Sequence, residues 1–201
     1  MKTKVSIRVY VEGGGDTRAN QEPLRAAFSK LFSKAGFAGR LPKFIGCGGR
    51  QQAFDDFQIA LRKAEENTIY ILLVDSEDPI QEPPWKHLKT RDNWNQPSNT
   101  TDAQVHFMAT CMETWLIADR ENLRRFFGQS FNENALPAPT DPETRNRKTL
   151  FAALEKATKD CEKKQYKKGS ISFELLETTN PKLLLDLSYF QRFVNELEKL
   201  L

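Results

Sequence analysis

Residues 68–74, Thr-Ile-Tyr-Ile-Leu-Leu-Val, constrain the fold of this chain more than any other stretch. The run is almost wholly apolar, β-branched or aromatic, and it stops at Asp75-Ser76-Glu77-Asp78. A strand with one wet face alternates apolar and polar residues, and this one does not, so both of its faces must be covered. That pattern belongs to the middle of a parallel sheet, whose strands are joined by crossover helices. The residues before it supply such units. Residues 4–11 alternate, with Val5, Ile7, Val9 and Val11 on one side, and read as a strand. Residues 20–36 set Leu24, Ala27, Phe28, Leu31 and Phe32 at helical spacing, with Pro23 near the first turn and Gly36 beyond the end. Residues 42–49 read as a short strand and tight turn, and 50–66 as a second helix carrying Phe54, Phe57 and Leu61. The order β-α-β-α-β implies a parallel sheet with right-handed crossovers.

The remainder is less regular. Residues 79–102 hold Pro79, Pro83, Pro84 and Pro97, with Trp85, Leu88 and Trp94 as sparse apolar anchors, and are expected to form a long polar loop. On that expectation the two tryptophans are candidates for base stacking or a lid. Residues 103–110 read as a fourth strand. Residues 111–128 follow as a helical turn and a helix capped by Asp119 and Gly128. Helices are expected over 144–165, briefly after Gly169, from the Asn180-Pro181 cap, and over 189–201. The expected fold class is therefore α/β. Residues 1–128 form a core with a mostly parallel sheet of about four strands flanked by helices. Residues 129–201 form a helical extension packed on that core as one structural unit.

A chain of 201 residues, 39% hydrophobic and 28% charged, is long enough to bury a core and too apolar for disorder. Cys47, Cys111 and Cys161 are odd in number and widely spaced, which fits a reducing compartment and no disulfide framework. No secretory leader and no run near the roughly 18 residues of a spanning helix is legible, so a cytoplasmic location away from membranes is expected. The net charge of +3 is too small to establish a nucleic-acid partner. His87 and His106 have no cysteine pairs at zinc spacing.

Ligands of open α/β sheets bind beyond the carboxyl ends of the strands. The first strand ends in Glu12-Gly13-Gly14-Gly15-Asp16 and the third in Asp75-Ser76-Glu77-Asp78. Carboxylates gathered in one crevice repel one another unless a cation neutralises them, and hard oxygen ligands suit Mg²⁺ or Mn²⁺. Asp16 alone reads as a helix cap. Glutamate is a poor cap, so Glu12 at a strand exit carries more weight, as does Asp75, the first charge after the apolar run. The glycine turn lacks the lysine and hydroxyl residue of a phosphate loop and the spacing of a dinucleotide fingerprint. Nucleotide binding there is disfavoured.

A strand ending Glu12-Gly13, then helix, strand, helix, and a strand ending Asp75-Ser76-Glu77 resembles the TOPRIM domain of topoisomerases, bacterial primases and overcoming-lysogenization-defect nucleases. That resemblance implies an acid/base or metal-ligating role for Glu12 and metal ligation by Asp75 with Glu77 or Asp78. A longer resemblance runs through VEGGGD, CGGRQQAFDDF, VDSED, VHFMATCMETWLIADRENLRRFFG and YKKG. It is to a bacterial family known as domain of unknown function 4276, a TOPRIM-like group. It implies a nuclease-like site, a phage-defence setting and a neighbouring ATPase partner.

Other residues have two readings each. Glu113 is a further catalytic or metal-ligating acid, or a glutamate favoured by a helix start. Arg50 begins a helix, where its charge opposes the dipole, so it either contacts phosphate or is merely exposed. The basic run Lys159, Lys163, Lys164, Lys167, Lys168 binds nucleic-acid backbone or is a solvated face. Lys167 and Lys168 lie in the YKKG stretch and are the stronger candidates. The leading expectation is a Mg²⁺- or Mn²⁺-dependent phosphodiesterase acting on nucleic acid. The alternative is a non-catalytic module that partners an ATPase and keeps the acids as remnants of its fold.

Overall fold

Strand β1 (Ser6–Val11) lies between β2 (Lys43–Gly46) and β3 (Thr68–Asp75), and β4 (Val105–Met108) pairs with the far side of β3, all four parallel. A computed structural model defines this arrangement for residues 5–15, 17–161 and 165–201; Asp16, expected as a cap, and Lys163 and Lys164 of the basic run lie outside the described residues. The chain steps outward from β1 to β2 and then back across to β3. The exits of β1 and β3 therefore flank the point where the connections diverge, which is where open parallel sheets form a crevice.

The period of two divides the core. Ile7, Val9, Val11, Ile71 and Leu73 meet Leu24, Phe28, Leu31 and Phe32 of α1 (Arg18–Phe32) on one face. Tyr10, Tyr70, Leu72 and Val74 meet Phe54 and Phe57 of α2 (Arg50–Arg62) on the other. Both faces of β3 are covered, which is why its sequence does not alternate. The register pairs Val11 with Leu73 and Asp75 with Met108, so Glu12 emerges beside the end of β3.

Residues 79–102 are not the long loop expected of them. They contain α3 (Pro84–Asp92), which begins on proline, where a missing N–H costs nothing, and ends on Asn93 in the left-handed region. Trp85 and Leu88 supply only one short apolar stripe, so the periodicity is faint, yet both are buried against the α2 face. Neither tryptophan is a free stacking platform. Trp94 stacks on Phe54 with centroids 4.3 Å apart and donates from Nε1 to Gln51 Oε1 at 2.9 Å. Trp85 donates from Nε1 to the Thr101 carbonyl at 3.0 Å.

Beyond β4 come α4 (Glu113–Ala118) and α5 (Arg120–Phe127), the latter capped by Asp119 Oδ1 accepting from Asn122 N–H at 3.0 Å. Helix α6 (Arg147–Ala157) stops well short of the expected 165. The Thr158 hydroxyl donates back to the Leu154 carbonyl at 2.8 Å and accepts the Tyr166 N–H at 2.9 Å, folding the chain back on itself. Then follow α7 (Ser170–Thr178), α8 (Pro181–Leu184) and α9 (Ser188–Leu200). Phe173, Leu176, Phe190 and Phe193 join the same apolar cluster as α1, so these helices cover the β1–β3 face.

His106 is a core histidine. Its Nε2–H donates to the Ala103 carbonyl at 3.0 Å and its Nδ1 accepts from Arg192 at 3.0 Å, while the ring packs on Phe193. Burial, then the Arg192 charge, depresses its pKa to about 3. The unfolded chain takes up a proton near pH 6.5 that the folded state refuses. Stability is therefore whole above about pH 6.5 and falls as pH drops toward 3, by about 2 kcal/mol at pH 5. Denaturant unfolding at pH 7 and pH 5 should show that slope in the wild type and its loss in His106→Gln. Equal slopes would remove His106 as the cause.

Candidate metal centre

Each acid of the site is placed by a strand end. Glu12 follows β1, its own N–H held by the Leu73 carbonyl at 3.0 Å. The next turn is closed by a pair of backbone bonds between Gly13 and Gly48, 2.8 and 2.9 Å long. Gly13 has φ 125°, and a Cβ there would lie 2.9 Å from Leu24 Cδ1, so the close approach needs glycine. Asp75 ends β3 and is 4% exposed. Glu77 is 8% exposed and adopts φ 68°, with its N–H bound to the Thr110 carbonyl at 2.8 Å. That left-handed turn brings its carboxylate back toward the sheet edge.

One oxygen from each of Glu12, Asp75 and Glu77 lies within 4.8 Å of the others. Burial pushes the Asp75 carboxyl well above its ordinary range, and the charges of Glu12, Glu113 and Glu77 push it further. Glu12 is raised chiefly by burial, with Arg50 pulling it down and Glu77 pushing it up. Burial and the neighbouring charges thus favour a proton or a cation at Asp75 and Glu12 over bare charge there.

The cations nearby are unevenly shared. Arg50 holds Asp92 with both edges, at 2.9 and 2.7 Å, reaches Glu12 Oε2 at 3.0 Å and the Asp75 carbonyl, and lies 5.1 Å from the centroid of Trp94. Its charge is thus occupied within the protein. Glu77 is paired with Arg147 and, at 3.2 Å, with Arg91. Asp75 has no ion-pair partner among the described residues; its Oδ1 accepts the Met112 N–H at 3.0 Å. Asp78 is exposed and pairs with Arg91 at 3.3 Å, so the acid two positions after Asp75, not the third, joins the cluster.

Glu113 is fully buried but stands apart from the three converging oxygens. Its Oε1 accepts from the Tyr166 hydroxyl at 2.6 Å, and its Oε2 has no hydrogen-bond partner among the described residues. Ser172 bonds Tyr166 in turn at 3.0 Å. Lys168 follows on the same returning segment. Partial burial opposes its charge, but the field of Asp75, Glu113 and Glu12 prevails and raises its pKa. Lys167 is exposed. Cys111 is buried, and burial with the Glu113 charge drives its thiol far above the range of a nucleophile.

A cavity of ≈ 550 Å³ opens onto these groups, bounded by Glu12, Asp75, the glycines 13–15 and 48–49, Met112, Lys168 and Phe173. The cavity, the acids and Lys168 all fall within one stretch of chain that a family model recognises. A family described as a domain of unknown function (DUF4276) matches residues 11–198. The chain belongs to the DUF4276 family. Neither the curated proteins nor the solved structures contain a match to it. The DUF4276 match begins one residue before Glu12 and extends through α7, so it includes the returning segment that carries Tyr166 and Lys168.

Sequence pattern does not point to these roles for Arg91, Asp92, Arg147, Tyr166 and Ser172. All but Ser172, which bonds the nearby Tyr166, are remote in the chain from their partners, and the one local signal is the tyrosine of YKKG. Among the described residues no helix is long and apolar enough to cross a membrane.

Proposed function

We propose that this DUF4276 protein is a divalent-metal-dependent phosphodiesterase with a TOPRIM-like site, acting on nucleic acid in the cytoplasm. The observation that carries the reading is Asp75: a buried carboxylate with no ion-pair partner among the described residues, within 4.8 Å of oxygens from Glu12 and Glu77. The residues fit a hard ion, since all three supply carboxylate oxygen. Mg²⁺ or Mn²⁺ held there would polarise a phosphoryl oxygen and lower the pKa of a bound water. Lys168 would face the added negative charge of the transition state. Glu113, tied to Tyr166, would contribute through its charge on Asp75 and by holding the segment that carries Lys168. A role in phage defence beside an ATPase partner belongs to the same proposal.

Titration calorimetry with Mn²⁺ should show binding to the wild type, weakened at least about tenfold in Glu12→Gln. Incubation with DNA and RNA in Mn²⁺ tests the reaction. A second reading rests on a specific observation: Arg50, Arg91 and Arg147 already neutralise part of the acid cluster. It makes the protein a non-catalytic module for a protein partner, and absence of any divalent binding would favour it.

A further inference from the structure

We propose that the site accepts the end of a single strand, one nucleotide with its terminal phosphate, and not a phosphate inside a duplex. This rests on the metal reading above and adds the substrate class. The first ground is size. Asp75, which has no ion-pair partner among the described residues, is 4% exposed and lines a ≈ 550 Å³ cavity. Such a volume is that of a small-molecule site, roughly 300–1,000 Å³. A duplex interface instead spreads over roughly 1,000–2,500 Å² of open surface.

The second ground is the wall. Pro23, Met108, Met112 and Phe173 line the cavity with apolar surface suited to a base. The glycines 13–15 and 48–49 add lining that is backbone without side chains. Gly49, the N-cap of the thirteen-residue helix α2, also lines the cavity and so sets the positive end of that helix's dipole at its edge.

The third ground is charge. A protein that follows a duplex needs a row of free cations along its backbone. Arg50, Arg91 and Arg147 are instead engaged with Glu12, Asp92, Glu77 and Asp78. Among the described residues lining the cavity, Lys168 is the cation, one charge for one phosphate.

Binding in Ca²⁺, which takes the same oxygen ligands, separates recognition from turnover. The full-length protein is titrated with a short 5′-phosphorylated single strand, the same sequence closed into a circle, and a dumbbell duplex without ends. The linear strand should bind at least about tenfold more tightly than either closed form, and thymidine 5′-monophosphate should compete with it. Lys168→Gln should erase the preference while leaving Ca²⁺ binding intact. Equal affinity for the circle overturns the proposal, as does failure of all three to bind the Ca²⁺-loaded protein. Failure of Ca²⁺ and Mn²⁺ themselves to bind removes the metal reading beneath it, and with it this proposal.

Discussion

Asp75→Asn should abolish divalent binding, by about 100-fold or more in affinity, while making the metal-free protein more stable. The two effects have one cause. Asparagine keeps an oxygen to accept the Met112 N–H but removes a charge that burial and the carboxylates of Glu12, Glu113 and Glu77 all oppose. The folded wild type holds the Asp75 proton more tightly than the unfolded chain does. That contribution is complete below the unfolded carboxylate pKa, about 3.9, and is lost as pH rises through the elevated folded value. Near neutral pH the metal-free variant should therefore melt about 2–4 °C above the metal-free wild type, the shift expected for about 1 kcal/mol in a chain of this size. Mn²⁺ should reverse the order, since a cation at about 100 times its Kd adds about 2.7 kcal/mol to the form that binds it. Thermal melts of both proteins with and without Mn²⁺ read this crossing directly. Parallel responses to the ion would show that Asp75 is not a ligand.

Arg50→Ala should cost about 3–5 kcal/mol of stability, the usual consequence of removing one partner from a buried ion pair. Arg50, Glu12 and Asp92 are all mostly buried, with 14%, 15% and 9% side-chain exposure. Deletion of the guanidinium would leave Asp92 without its two-bonded partner and Glu12 without its only ion pair among the described residues. Lysine would keep the charge but not the fork that spans both oxygens of Asp92, so Arg50→Lys should recover only part of the loss. Mg²⁺ should stabilise Arg50→Ala more than the wild type, because the ion would then be the remaining cation beside Glu12. Urea unfolding with and without Mg²⁺ measures both effects. A loss under about 1 kcal/mol would place Arg50 with surface pairs instead.

The sheet and its two crossover helices were legible because their information is local. A short, β-branched and aromatic apolar run at 68–74 reads as a doubly covered strand, and alternation at β1 names the face that meets α1. Helix α3 escaped notice because two buried side chains in a proline-rich, polar stretch leave almost no period to see. The early stop of α6 escaped for a different reason. Helical spacing continues through Ala157, and what ends the helix is Thr158 taking the N–H of Tyr166 from the returning chain.

By itself the sequence determined that acids stand at the exits of β1 and β3, because strand ends follow from short-range hydrophobic patterning. Tertiary structure alone decided which of them converge, and how each is balanced. Glu77 turns in through a left-handed backbone while Asp78 turns out to Arg91. Arg50 closes on Glu12 and Asp92, and Asp75 is left buried with an amide and, among the described residues, no ion-pair partner. Those outcomes depend on groups far apart in the chain, meeting where charge and burial compete. No local pattern encodes that balance, since it is set by the dielectric surroundings that only the packed fold creates.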